Sequence, residues 1–170
     1  MTLSDVLLPE LDLEAAYTRK NLERVPMDSL EFKPHEKSMP LGHLVTFIAV
    51  LPTWGHLALT TDSFDVAPNG VPVPQQPVVK SQRELLNMFD KNVADVRAAL
   101  ESASDERLQQ PWSLLAAGNT VFTQSRYLVY RTFFLNHLVH HRAQLGIDLR
   151  LNGIAVPAVY NDSADEQGGM

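Results

Sequence analysis

The 170 residues are enough for one domain with a sizeable core, and 45% hydrophobic with 20% charged residues is the mix of a globular chain rather than a disordered one. A formal charge of −6, from 14 Lys+Arg against 20 Asp+Glu, offers no basic patch to neutralise phosphates, which disfavours nucleic-acid binding. No cysteine is present, so disulfides, thiolate metal sites and a cysteine nucleophile are excluded, and a reducing compartment is permitted.

The opening MTLSDVLLPELDLEAAY has no basic leader ahead of a long apolar run and does not read as a secretory signal. A first helix is expected from about Asp5 to Arg24, closed by Val25-Pro26. Its stripe is Leu11, Ala15, Leu22 and Val25, with Glu14, Lys20 and Glu23 toward water. Pro26 to Lys37 reads as a polar loop. A second helix is expected from Ser38 as N-cap, with Pro40 in its first turn and Leu41, Leu44, Ile48 and Leu51 facing the core. Pro52 should interrupt it, and Trp54 to Thr60 continue it. The apolar run Leu44 to Trp54 is far short of the roughly 20 residues that span a bilayer, so no membrane segment is expected and the location is read as cytoplasmic.

Thr61 to Lys80 is non-periodic, and its APNGVPVPQQP cannot be helical. Such a connection suits a long crossover, or the mouth of a pocket. A third helix, Ser81 to Ser102, opens with a Ser81/Glu84 capping box and carries Leu85, Met88 or Phe89, Val93, Val96 and Leu100. Asp105 to Gln124 is mixed, with turns at Pro111-Trp112 and Gly118-Asn119 and little strand signal. The fourth helix, about Arg126 to Leu151, ends at Asn152-Gly153, and an irregular tail begins at about residue 153.

Chemistry concentrates in NHLVHHRAQL of the fourth helix. His137 and His141 are one turn apart on one face, a spacing at which two imidazoles can converge on an ion. Tyr130, Phe134, His137, His141 and Leu145 share a stripe, so the pair points inward, as helical proteins commonly place metal sites. The competing reading is a buried neutral imidazole pair in an ordinary core. His140 turns aside, and Arg142 reads as a surface or ion-pairing residue. Trp54 and Trp112 read as core or pocket wall. Ser125 with the later histidines makes no triad, and no GxSxG, HExxH or phosphate-loop pattern occurs.

NHLVHHRAQLGIDLRLNGIAVPAVYNDSADE resembles the last helix and tail of DinB/YfiT-like proteins, whose pattern is a histidine, three residues, then His-Arg-x-Gln-Leu. His137, His141, Arg142, Gln144 and Leu145 match it. KSMPLGHLVTFIAVLPTW resembles the family's second helix, and PWSLLAAG with Arg126 the segment before the fourth. The resemblance implies an all-α fold, one four-helix-bundle domain over residues 1–170 with a long crossover between helices two and three. It also implies frequent homodimers and a divalent ion, zinc or nickel, on three histidines. The family's third histidine falls five residues after the glycine of helix two. Counting from Gly42 that position is Phe47, and His43 is the substitute candidate; His56 and His35 are weaker ones. Asp62, Asp65 and Asp162 are loop carboxylates that could approach. Two functions are expected from this. One is a metal-dependent hydrolase or thiol-dependent transferase acting on a small molecule. The other is a non-catalytic bundle with a degenerate metal site that binds a small molecule or serves as a dimeric scaffold.

Overall fold

Helix α1 (Leu3–Leu22) starts where Thr2 and Asp5 cap each other's backbone amides. The computed structural model describes residues 1–167, so the end of the expected tail, 168–170, lies outside the described residues. Leu7, Leu11, Ala15 and Leu22 of α1 are buried, as the stripe requires. Glu14 is buried too, against expectation. It shares that face at steps of three and four residues with Leu11 and Thr18, and Arg142 neutralises it there.

Helix α2 (Leu41–Val50) begins three residues later than its expected cap at Ser38. Loop carbonyls do the capping: Leu41 and Gly42 donate their amides to Phe32 and Leu30, at 2.9 and 2.8 Å. That loop and the Thr61–Lys80 connection lie so close that a Cβ on Gly42 would stand 3.1 Å from Leu30 Cβ and 2.9 Å from Val78 Cγ1. Pro52 splits the stretch as expected, and α3 (Pro52–Thr60) continues it. Together Leu41–Thr60 are long and apolar enough to cross a membrane, further than the expected short run, yet 61% of their 18-residue apolar window is buried inside the protein. It is laid out as a core helix.

Helix α4 (Gln82–Glu101) is capped by Ser81, which accepts from the Glu84 amide; the Glu84 carboxylate turns to the Lys80 amide at 2.7 Å, so only half of the expected box forms. A short α5 (Asp105–Gln109) comes next. The last helical rod is α6 (Arg126–Val129), a π-helical turn (Tyr130–Leu135) and α7 (Asn136–Leu151). Ser125 caps its start through the Leu128 amide. Within the turn the Asn136 amide reaches back five residues to Arg131, which lets one surplus residue in without breaking the rod. Helix α1 packs on α4 and α7, and the α2–α3 pair on α4, the π turn and α7. Leu11, Leu22, Leu41, Ile48, Leu85, Phe89, Phe134 and Leu145 form the shared core.

The fold is mostly helical, but the expected all-α class needs correcting. Strands β1 (Ser63–Asp65), β2 (Pro111–Ala116) and β3 (Asn119–Ser125) form a sheet, β1 parallel and β3 antiparallel to β2. The β2–β3 turn places Ala117 at φ 52° and Gly118 at φ 78°, the two left-handed positions of a tight hairpin. Trp112, Leu114 and Phe122 of this hairpin join Ala58, Phe64, Val129 and Phe133 in a second apolar cluster, and that burial holds the strands on the helices.

Candidate functional site

Helix α7 delivers His137 and His141 to one point: their ring centres are 4.6 Å apart with planes tilted by 38°. Phe47, from α2, sets its ring edge-on to both, at 5.4 Å from His137 and 5.0 Å from His141. Three imidazoles sharing one tetrahedral ion, with metal–nitrogen distances of about 2.0 Å, hold their ring centres roughly 5 Å apart. The three rings therefore stand at ligand spacing. The chemistry differs, because a phenyl ring has no lone pair to donate. Among the described residues no group of three histidine, aspartate or glutamate side chains comes together at a metal-holding distance. A three-histidine centre thus does not fit this set of residues.

His43 is exposed and lines a neighbouring pocket together with Phe47. His56 directs Nδ1 to the Asp95 carbonyl at 3.3 Å, and His35 to the Lys37 amide at 3.2 Å. The loop carboxylates Asp62 and Asp65 are engaged elsewhere. Asp62 pairs with Arg126 and Arg107, and Asp65 accepts amides from Ala67, Ala117 and Gly118. Asp162 sits in the tail.

The other residues of the HRxQL stretch have separable tasks. Gln144 Oε1 is 2.7 Å from His141 Nδ1, so that nitrogen carries the proton and Nε2 keeps a free lone pair. The Gln144 amide nitrogen reaches His140 Nε2 at 3.2 Å, tying in the third, exposed imidazole. Arg142, expected at the surface or in an ion pair, is 3% exposed and is paired: Nη1 lies 2.7 Å from Glu14 Oε2. It also donates to the Thr18 hydroxyl at 3.3 Å and to Tyr160, whose hydroxyl in turn lies 2.8 Å from Glu14. Tyr17 closes the group edge-on to Tyr160 at 5.2 Å. Arg142 thus locks α7 to α1 and to the tail, which fixes the rotation of the helix bearing the histidines. Leu145 is fully buried.

Burial lowers the pKa of both imidazoles. For His137 the Phe133 carbonyl opposes that shift and nearby His140 adds to it. For His141 the Gln144 contact opposes it, while His137 and His140 add to it. Each pair member is therefore neutral near pH 7.

Phe47 also forms part of a pocket of about 590 Å³ walled by Trp54, Leu57 and Phe64. Trp54 meets Phe64 edge-on at 5.4 Å, and Phe133 behind it touches Phe122 at 4.9 Å, so the wall continues into the sheet's apolar cluster. The crossover does shape the mouth: Val73, Pro74, Gln75 and Gln76 line it with His43. Trp112 is fully buried and bonds Thr61, so one tryptophan is pocket wall and the other core. Glu14 and Tyr160 are residues the sequence reasoning missed. The face shared by Leu11, Glu14 and Thr18 was a usable signal for the first; nothing marked the second.

Residues 3–168 match the DinB family profile. The chain is similar to a solved DinB-like protein of Bacillus cereus ATCC 10987, with TM-score 0.71, 22% identity, and 94% of this chain and 98% of that chain covered. A DinB-like protein of Bacillus subtilis superimposes with TM-score 0.67 at 16% identity, over 89% of this chain and 94% of that one. No curated protein matches the chain.

Proposed function

The chain belongs to the DinB family, and from that premise we propose that it is a non-catalytic, small-molecule-binding member whose metal centre has become an apolar wall. One observation carries this reading: Phe47 stands at ligand spacing from both imidazoles while its ring lines the aromatic pocket. A phenyl group there offers an apolar ligand contact surface and gives a metal ion no lone pair. Walls of Phe47, Trp54 and Phe64 suit a flat apolar molecule, and His43, Gln75 and Gln76 supply hydrogen bonds at the mouth. The pocket size is that of ordinary small-molecule sites.

A second reading keeps the ion. It is favoured by the free lone pair that Gln144 leaves on His141 and by the neutrality of both rings, which are the conditions a ligating imidazole needs. Metal analysis of untagged protein separates the two. Under the binding reading the wild-type chain stays metal-free in equimolar zinc or nickel, and 1-naphthol quenches Trp54 fluorescence saturably, an effect lost in Phe47→Asp. Stoichiometric metal on the wild-type chain, or no quenching, overturns it.

A further inference from the structure

A second cavity, of about 400 Å³, opens beside the histidine helix. The loop before α2 contributes Lys37 and Ser38 to it, and α7 contributes His141, Gln144 and Asp148. Asp148 is the unusual member. It is 3% exposed, and its backbone carbonyl is the part of it that bonds, accepting from Asn152. Among the described residues its carboxylate has neither a hydrogen-bond donor nor a cation, and burial alone raises its pKa. The other buried charged side chains among the described residues have an opposite charge: Glu14 has Arg142, and Arg126 has Asp62, although Arg126 Nε itself has no hydrogen-bond partner.

The Asp148 carboxylate oxygens keep a little solvent contact, since the fully enclosed side-chain atoms without a partner among the described residues are Arg126 Nε and Tyr130 Oη. A carboxylate so deeply set, with little water and no paired cation, is poorly compensated. A cavity of this kind stabilises whichever ligand brings the missing positive charge. The remaining lining narrows the choice. Leu44, Met39, Pro34 and Ile147 favour an aliphatic body. Lys37, exposed beside Ser38 in the loop, would repel a purely cationic ligand but attract one with an anionic end. We propose that this cavity binds a small aliphatic zwitterion, an amino acid or a compound built like one, with its ammonium group on Asp148 and its carboxylate toward Lys37 and Ser38. The site has its own charged groups and does not depend on how the aromatic pocket is used.

Titration calorimetry on the full chain at pH 7 and low salt tests this with four probes of one chain length: norleucine, 6-aminohexanoate, hexylamine and hexanoate. At least one of the two zwitterions binds, and hexanoate, lacking the ammonium, binds about tenfold more weakly or not at all. Asp148→Asn, nearly isosteric, weakens the zwitterion by about tenfold or more. Lys37→Met removes the preference for zwitterion over hexylamine, and it tests the mouth without touching a buried residue. Urea unfolding of Asp148→Asn shows a midpoint equal to or above wild type, since no native partner is lost. The proposal is overturned if neither zwitterion binds, if hexanoate binds as tightly, if Asp148→Asn binds equally well, or if that variant is less stable than wild type.

Discussion

Phe47 and His141 meet edge to face, 5.0 Å between ring centres, across the gap between α2 and α7. The contact gives the aromatic pocket its inner wall and leaves the histidine pair one nitrogen donor short of a three-ligand site.

Supplying that donor should restore an ion. Phe47→His is expected to take up about one zinc or nickel per chain, as three protein ligands and a water complete a tetrahedral site. His141→Ala in the same background should abolish the uptake. Inductively coupled plasma analysis after dialysis reads both outcomes, and a Phe47→His protein that stays metal-free would show that the three rings do not share a focus.

The Glu14–Arg142 pair should be worth more intact than either half alone. Both side chains are at least nine-tenths buried, so Glu14→Leu or Arg142→Met leaves a charge stranded and should cost about 3–5 kcal/mol in urea unfolding. The double variant Glu14→Leu/Arg142→Met should recover much of the loss. Additive losses would mean that Tyr160 and Thr18, not the ion pair, carry the energy.

Stability should fall with acidification through the histidine range. The folded protein holds the pKa values of His137 and His141 below 6.5, whereas unfolded imidazoles titrate at the ordinary value. The unfolded chain therefore binds protons first as pH drops past 6.5, and the stability present above that pH is lost as pH falls through the folded values. Unfolding midpoints measured between pH 7.5 and 5 should decline, and the double variant His137→Phe/His141→Leu should flatten the decline. Imidazole NMR should show both rings less protonated than a free imidazole at pH 6.5.

Gly55 should tolerate no side chain. A Cβ there would stand 2.5 Å from Phe134 Cδ1 and 2.8 Å from Val96 Cγ2, in fully buried surroundings. Gly55→Ala is expected to cost about 1–3 kcal/mol from overpacking, despite the gain in helix propensity. An exposed-helix response, stabilisation by alanine, would show that α3 can shift away from the last helical rod.

Much of this was legible because it depends on local periodicity. The stripe Leu41, Leu44, Ile48 and Leu51 is buried, Pro52 divides the helix, and the His137/His141 spacing brings the rings together. The sheet was not legible, because β1 has three residues and the β2–β3 hairpin turns through Ala117, a residue whose type does not advertise a positive φ. Long-range pairing also escaped: Glu14 looks solvent-facing until Arg142, 128 positions away, is brought against it. Ser38 fails as a cap for a similar reason, since distant loop carbonyls reach the first amides of α2 before its hydroxyl can.

The π-helical turn at Tyr130–Leu135 divides the last rod into two registers, one serving Tyr130 and Phe134 and the other His137 and His141. Because the surplus residue is absorbed inside that turn, a deletion there need not rotate α7. The histidine face and the half-helix that packs on α3 are in that sense mechanically decoupled: length can change on one side while aim is preserved on the other.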